Sequence, residues 1–256
     1  MATVDRLARW MRARLHAAGA RGFVVGLSGG LDSAVVARLA QLAAPGGVLG
    51  VLLPCHSDPQ DERDAMLVAR HFSLPIERIE LSTAYDTLVA AVQPALGSIQ
   101  PSKGTAESAE SDDEHRGRLP LANIKPRLRM TALYFVANSL NYLVAGTGNG
   151  SEMAVGYFTK WGDGGVDLLP LGRLLKSQVR ALAQELRVPA DVVERPPSAG
   201  LWIGQSDEED MGFTYADLER YLHGGPQAVA PALAMKIERL VRASDHKREL
   251  PAVPDF

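Results

Sequence analysis

Short apolar runs alternate with stretches of helical spacing along the first half of the chain. The runs predicted to be buried strands are Phe23–Leu27, Val48–Leu53, Ile76–Leu81 and Tyr142–Ala145. Each of the first three precedes a helical stretch, as Phe23–Leu27 precedes Ala34–Ala43. Strands that alternate with helices form a parallel sheet with helices on both faces, so the pattern predicts an α/β fold. Ligands of such folds bind beyond the carboxyl ends of the strands.

Helical spacing also marks both ends of the chain. Near the N-terminus the apolar residues that recur at this spacing are Val4, Leu7, Ala8, Met11 and Leu15. They predict an amphipathic first helix whose arginines face water, rather than a transit peptide. Towards the C-terminus, the predicted helices cover about Lys176–Leu186, Tyr215–Leu222 and Pro226–Ala243.

Two irregular segments separate these elements. Residues at about 97–118 are almost free of large apolar side chains and are predicted to form a mobile loop, either a lid or a solvated insertion. The segment Gly156–Gly172 combines Phe158 and Trp161 with charged residues, which indicates an ordered site loop. Because no repeat or linker divides the chain, we expect residues 1–256 to form a single domain.

The composition restricts the class of protein. With 256 residues, 46% of them hydrophobic, the chain can bury a core, and its net charge of −3 offers no general attraction for nucleic acid or an anionic membrane. No segment has the ~20 apolar residues that a membrane span needs. The single cysteine, Cys55, excludes an internal disulfide; packing is its favoured interpretation and a reactive thiol the alternative. We expect a soluble, cytoplasmic protein.

The segment Gly26–Ser33, with the sequence GLSGGLDS, joins the first predicted strand to the following helix. Small residues let the backbone turn sharply and bring amide N–H groups to an anion, and the positive end of the helix adds to the attraction. The loop differs from GxxxxGK[ST], which requires a lysine next to Ser33, and from GxGxxG. We therefore predict a different kind of polyphosphate loop.

The order SGGLDS at 28–33 resembles the pyrophosphate loop of enzymes that cleave ATP between its α and β phosphates. Five further motifs are NIKPRLRM at 123–130, GTGNGSE at 146–152, GYFTKWGDGGVDLLPL at 156–171, PPSAGLWIGQSDEEDMGFTY at 196–215 and DHKR at 245–248. Together they resemble NAD synthetases, over nearly the whole chain apart from the polar insertion. The resemblance implies a Rossmann-like fold of the adenine nucleotide alpha hydrolase type.

The resemblance also implies a two-step reaction. The carboxylate of deamido-NAD attacks the α-phosphate of ATP to give an adenylate and pyrophosphate, and ammonia then displaces AMP. Activation comes first because a free carboxylate is a poor electrophile. Mg²⁺ is the implied metal, and a homodimer with the dinucleotide site at its interface is the implied assembly. Family members that use glutamine carry an added amidase domain, for which 256 residues leave no room. Free ammonia is therefore the expected donor, unless a separate amidase subunit delivers it.

Site residues follow from the resemblance, position by position. Those implied to bind ATP are Gly26, Leu27, Ser28, Gly29, Gly30, Leu31, Asp32, Ser33, Thr147, Lys176 and Ser198. Asp32 and Glu152 match the metal ligands, and several relatives carry threonine in place of Ser198. The residues that match deamido-NAD contacts are Arg127, Lys160, Asp167, His246 and Lys247. Lys176 is the implied catalytic cation, and Asp163 is our hypothesis for the group that deprotonates ammonium.

Other interpretations stay open at this point. Asp32 is also a possible helix cap, Lys176 a solvated lysine, and His246 a solvated residue near the end of the chain. For the whole chain, the alternatives are another ATP pyrophosphatase that amidates or thiolates a nucleotide or tRNA base, and a nucleotide-binding protein without catalysis. One cysteine and a mildly acidic charge argue against thiolation and tRNA binding.

Overall fold

The computed structural model of the protein describes residues 3–97, 118–202 and 204–254. The polar insertion, predicted as a mobile loop at about 97–118, lies outside these residues except at its two ends. Within the described ranges, no helix combines the length and the apolar character that crossing a bilayer requires.

Four parallel strands form the central sheet, which confirms the predicted α/β class. The strands are β1 (Gly22–Gly26), β2 (Val48–Leu52), β3 (Ile76–Arg78) and β4 (Tyr142–Val144), in the spatial order β3-β2-β1-β4. The chain builds outwards from β1 to β3 and then returns to place β4 on the other side of β1. This reversal of strand order opens a crevice at the carboxyl ends of β1 and β4, where ligands of α/β folds bind.

Helices connect and cover the strands. Their bounds are α1 Thr3–Ala17, α2 Leu31–Ala43, α3 Pro59–His71, α4 Ser82–Gly97, α5 Ile124–Leu140, α6 Gly150–Val155, α7 Lys176–Glu185, α8 Ala190–Glu194, α9 Asp207–Met211, α10 Tyr215–Gly224, α11 Pro231–Ala243 and α12 Asp245–Arg248. The predicted helices at the start of the chain, after β1 and at Lys176 are therefore confirmed, with ends that differ by a few residues.

Alternation along β1 divides the core between the two faces of the sheet. Phe23 and Val25 are fully buried in one cluster, with side chains of α1, α2, α3 and α7, whereas Val24 belongs to a second cluster, against which α4 and α5 pack. Cys55 is fully buried in this second cluster, as its packing interpretation predicts. A third cluster joins α6, α9, α10 and α11. Because both faces are covered, β1 is apolar at consecutive positions rather than at every second one.

Two element predictions need correction. The predicted helix Pro226–Ala243 is interrupted: a 3₁₀ turn covers Pro226–Ala228, Ala230 has φ −58° and ψ 141°, and α11 begins at Pro231. The ring of Pro231 disfavours helical backbone at the preceding residue, which explains the break. The third strand ends at Arg78 instead of Leu81, although the Leu81 amide still donates to the Pro54 carbonyl.

Candidate active site

A cavity of about 850 Å³ opens beyond the carboxyl ends of β1, β2 and β4. Both small-residue loops predicted at these ends line it, the first with Gly26–Ser33 apart from Gly29 and the second with Gly146, Thr147 and Gly148. Strand ends therefore bring the two loops to one cavity.

The loop Gly26–Ser33 is held in shape by its own serines and by α3. Ser28 Oγ accepts a hydrogen bond from the Gly30 amide (3.2 Å), and Ser33 Oγ accepts one from the Ser28 amide (3.3 Å). Gly29 has φ +80°, and a Cβ on it would lie 2.3 Å from the Asp61 carbonyl oxygen. Gly30 is the N-cap of α2 and offers no side chain as a cap, so the first amides of the helix stay available to an anion.

Asp32 lies in the first turn of α2, one residue beyond the start of the helix, and does not cap it. The capping interpretation is therefore wrong. Instead, Asp32 Oδ2 accepts a hydrogen bond from Lys176 Nζ (2.5 Å) and Oδ1 accepts one from Asn149 Nδ2 (3.3 Å). The carboxylate thus turns away from its own helix and towards the second loop and α7.

Lys176 is buried at the start of α7, with 6% of its surface exposed, so the solvated interpretation is wrong. Its Nζ atom is 3.6 Å from Glu152 Oε1 and 5.1 Å from the centre of the Tyr215 ring. Burial alone would lower the pKa of Lys176, but the negative charges of Asp32 and Glu152 outweigh it and raise that pKa. The lysine therefore carries its positive charge into the cavity.

Glu152 is fixed by the capping box of α6. Its amide donates to Asn149 Oδ1 (3.0 Å), and its Oε2 accepts from the Asn149 amide (3.0 Å). Burial, and then the nearby charge of Asp32, raise the pKa of the Glu152 carboxyl. The sequence N-x-x-E at 149–152 carries the signal for this cap, which the sequence analysis missed.

A third buried carboxylate, Asp207, was also missed. Asp207 Oδ2 accepts a hydrogen bond from Tyr215 Oη (2.9 Å), and the same hydroxyl lies 3.5 Å from Glu152 Oε1. Asp207 Oδ1 is buried and has no hydrogen-bond partner within the part of the chain that the structure describes. Three carboxyl groups therefore lie near the ammonium group of Lys176, and burial raises the pKa of Asp207 as it does that of Glu152.

Asp32 and Glu152 have the donor chemistry that suits a hard divalent cation, since both present carboxylate oxygens to the cavity. Among the described residues, no group of three or more carboxylate, histidine or cysteine side chains has the arrangement of a complete metal cage. A metal at this point would take its remaining ligands from phosphate oxygens and water, as Mg²⁺ does in nucleotide sites. The residues present fit such an ion.

The other residues predicted to serve ATP or ammonia also line the cavity. They are Thr147, Ser198 and Asp163. Ser198 is exposed, and its Oγ accepts a hydrogen bond from the Gly200 amide (3.2 Å). Asp163 is accessible from the cavity, and its Oδ1 accepts a hydrogen bond from the Thr159 amide (2.9 Å). Desolvation by the surrounding protein raises the pKa of the Asp163 carboxyl.

The five residues predicted to contact deamido-NAD are not all at this cavity. Only Lys247 lines it, and its Nζ donates to the carbonyls of Gly156 and Phe158 (2.8 Å each). Lys160 bonds to the His246 carbonyl, and Arg127 Nη2 donates to the Lys160 carbonyl (3.4 Å), so these three form one connected group outside the cavity.

Asp167, the fifth of these residues, supports β4. Its Oδ2 accepts a hydrogen bond from the Val144 amide (2.8 Å), and its Oδ1 accepts one from Tyr134 Oη (3.1 Å). The next residue, Leu168, forms an isolated parallel bridge with Ala145. Asp167 thus holds the ordered loop Gly156–Gly172 against the edge of the sheet.

A loop of small residues at the switch point of a parallel sheet, next to a buried lysine paired with two carboxylates, is typical of nucleotide-binding α/β proteins. Comparisons of the chain with known proteins identify the family within this class. The NAD synthase family model matches residues 3–251. The NH(3)-dependent NAD(+) synthetase of Carboxydothermus hydrogenoformans is 47% identical over 250 residues, which cover 98% of this chain and 96% of that protein. The chain belongs to the NAD synthase family.

Solved structures agree with this assignment. The NMN synthetase of Francisella tularensis superposes with a TM-score of 0.87 and 36% identity, and the match covers 99% of this chain and 98% of that one. The NH3-dependent NAD synthetase of Campylobacter jejuni, at 24% identity, shares the fold with a TM-score of 0.76 and coverage of 99% and 97%. The family resemblance and the fold class inferred from the sequence are confirmed.

Proposed function

We propose that the protein is a ligase that uses ATP to adenylate the nicotinate carboxylate of deamido-NAD and then amidates it with ammonia. The products are NAD, AMP and pyrophosphate. The observation that carries this proposal is the group of Asp32, Lys176 and Glu152 beside the phosphate loop, in a chain 47% identical to an NH(3)-dependent NAD(+) synthetase. No observation favours thiolation, a tRNA substrate or a protein without catalysis.

In the first step an anionic carboxylate must approach an anionic triphosphate. Positive charges in the site have to offset the repulsion between the two. A bond forms between a carboxylate oxygen and the α-phosphorus, while the bond from that phosphorus to the bridging oxygen of pyrophosphate breaks. The amides of Gly26–Ser33 and the start of α2 are placed to receive the β and γ phosphates. Lys176 lies beside this loop, and its charge lowers the repulsion between the reactants.

We infer that Asp32 and Glu152 hold Mg²⁺ together with ATP. Three carboxyl groups lie near one ammonium group, and Asp207 Oδ1 has no hydrogen-bond partner within the described ranges of the chain. A divalent cation at this point would favour the ionised form of these carboxyls. When bound, Mg²⁺ neutralises phosphate charge and makes pyrophosphate a better leaving group. The two side chains would hold the ion, and their ion pairs keep Lys176 beside the loop Gly26–Ser33.

In the second step ammonia attacks the carbonyl carbon of the adenylate, and AMP leaves with the oxygen that linked the two. Ammonium must lose a proton before its nitrogen can attack. We propose that Asp163 attracts ammonium and accepts this proton, because its carboxyl is exposed and lines the cavity in which the adenylate would form.

Replacing Asp163 by asparagine tests this role. The amide oxygen of asparagine can still accept the Thr159 amide proton, so the loop is expected to keep its shape. We expect kcat/KM for ammonium to fall by about 10²-fold or more at low ammonium, because general-base catalysis supplies rate factors of this size. Pyrophosphate release in the first step is the internal control and should change little. Unchanged turnover at low ammonium would contradict the assignment.

We propose that the dinucleotide end of the substrate binds where two copies of the chain meet, in a homodimer. Arg127, Lys160 and His246 lie outside the cavity of one chain, as a shared site would require. On the same helix as Arg127, Phe135 is 75% exposed, which suits a surface that a second copy covers.

The family match over residues 3–251 supports one NAD synthase domain for residues 1–256, and we propose that organisation. Ammonia as the nitrogen donor follows from the names of the curated relatives. We also propose that the protein is located in the cytoplasm, because a chain with a single cysteine is compatible with a reducing compartment.

Product analysis tests the proposed reaction. Purified protein with ATP, Mg²⁺, deamido-NAD and an ammonium salt should yield NAD, AMP and pyrophosphate in equal amounts. Chromatography of the nucleotides and an enzymatic assay for pyrophosphate measure the three products. Formation of ADP and phosphate would refute cleavage between the α and β phosphates. Omitting ammonium is the control and should stop NAD formation.

A second carboxylate substrate follows from one comparison. The Francisella tularensis protein that superposes with a TM-score of 0.87 is named an NMN synthetase, so its product is a mononucleotide. We therefore include nicotinic acid mononucleotide beside deamido-NAD in the product assay. A larger kcat/KM for the mononucleotide would assign the shorter substrate, without changing the adenylation chemistry or the residues that perform it.

A further inference from the structure

Arg129, on α5, lines the cavity two residues beyond the predicted substrate contact Arg127. Its Nε donates a hydrogen bond to the Leu53 carbonyl (3.1 Å), and its Nη2 donates one to Ser57 Oγ (3.0 Å). Both acceptors are neutral, and both belong to the segment that follows β2. The guanidinium group is therefore held in place at the carboxyl end of a central strand.

Most other cations that line the cavity are neutralised by carboxylates. The pairs are Arg78 with Glu62 and Glu80, Lys176 with Asp32 and Glu152, and Arg195 with Asp61 and Asp64. Arg129 forms no ion pair within 4.0 Å with any carboxylate of the described residues, and Asp61 and Asp163 act on it only at longer range. Of the remaining cations, Arg180 is exposed to solvent, and Lys247 donates its hydrogen bonds to two carbonyls.

A partly buried positive charge without a counterion is unfavourable unless something else compensates for it. Burial lowers the pKa of Arg129, yet an arginine stays protonated at any physiological pH. A guanidinium has five N–H donors, whereas the two bonds to Leu53 and Ser57 use two. The remaining donors form a planar fork that suits two oxygens of a carboxylate or phosphate.

We propose that Arg129 binds an anionic pair of oxygens on a substrate and supplies the positive charge that lets the carboxylate approach ATP. This inference rests on the proposed adenylation. Two sources have the required chemistry: the nicotinate carboxylate and the α-phosphate of ATP. In the first step these two groups meet, and Arg129, the loop Gly26–Ser33 and Asp163 all line one cavity.

The test compares the affinities of three ligands for wild-type protein and for Arg129→Gln, by calorimetry. The ligands are Mg·ATP, deamido-NAD and NAD, whose neutral amide replaces the carboxylate. If Arg129 binds the carboxylate, the substitution weakens the affinity for deamido-NAD about 10- to 100-fold and leaves the affinities for NAD and ATP unchanged. If Arg129 binds the α-phosphate, the affinity for ATP weakens by a similar factor and the affinities for the two dinucleotides do not change. Either result supports the proposal.

Two further variants separate binding from a purely structural role. Arg12→Gln is the matched control, because Arg12 also donates to carbonyls, those of Ala43 and Leu42, and lies outside the cavity. Arg129→Lys keeps the charge but not the fork, and should recover part of the lost affinity. The proposal is overturned if both variants lose stability alike but keep wild-type affinities for the ligands. It is also overturned if Arg129→Gln weakens binding and Arg129→Lys recovers none of the lost affinity. Wild-type protein that binds these ligands but forms no NAD would instead contradict the proposed function.

Discussion

Substituting Asp32 by asparagine should slow the adenylation step by about 10²- to 10³-fold, because the change removes one of two carboxylates available to Mg²⁺ and the main counterion of Lys176. The Mg²⁺ concentration that gives half-maximal pyrophosphate release should rise as well. Pyrophosphate release is measured with deamido-NAD present over a range of Mg²⁺ concentrations. We expect Glu152→Gln to have the same two effects, since Glu152 is the second carboxylate near Lys176.

Asp5→Asn is the control for this substitution. Asp5 is an exposed acid in the first turn of α1, so its change removes a similar favourable interaction with a helix dipole without touching the cavity. Its adenylation rate and Mg²⁺ dependence should match those of the wild type. An Asp32→Asn variant whose Mg²⁺ dependence is unchanged would count against Asp32 as a metal ligand, even if its rate falls.

Gly29→Ala should abolish measurable ATP binding and lower the free energy of unfolding by about 2–5 kcal/mol. Gly29 has φ +80°, and its added Cβ would meet the Asp61 carbonyl oxygen at 2.3 Å. The Cβ atom is attached directly to the backbone and the carbonyl oxygen is part of it, so no side-chain rotation can relieve the contact. The loop Gly26–Ser33 must instead move away from α3. The proposed phosphate site depends on the positions of the loop amides, so this movement should affect ATP binding more than stability. Calorimetry with Mg·ATP and thermal denaturation measure the two effects.

Gly46→Ala separates steric contact from backbone strain. Gly46 has φ +77°, close to that of Gly29, but no atom lies within 4 Å of the Cβ it would acquire. Its substitution should cost about 1–2 kcal/mol of stability, from the backbone alone, and leave ATP affinity unchanged. Equal ATP affinities for the two variants would show that the contact with Asp61 does not shape the phosphate loop.

Local patterns were sufficient for the presence of the strands and for the loop Gly26–Ser33 between β1 and α2. The apolar runs at Phe23 and Val48 predicted strands because buried parallel strands are apolar at consecutive positions. Other local signals were present and were overlooked. The capping box at Asn149 and Glu152, and the break before Pro231, both follow from spacing that the sequence displays.

The charge arrangement of the candidate site had no such local signal. Lys176 and Asp32 are separated by 144 positions, and their contact depends on the packing of α7 against α2. Asp207 reaches Glu152 through Tyr215 only because α9, α10 and α6 share one cluster. Sequence motifs named Lys176 as functional, but the resemblance did not show that its ammonium is buried between two carboxylates.

By itself, the sequence determined the α/β class, the strand–loop–helix setting of Gly26–Ser33 and the family, because these depend on residue types at short and regular spacings. The tertiary structure decided which charges meet. Arg127 and Arg129 stand two positions apart in one motif, yet only Arg129 lines the cavity. Residues two apart on a helix point to different sides, and only the packing of that helix against the sheet determines which side faces the site.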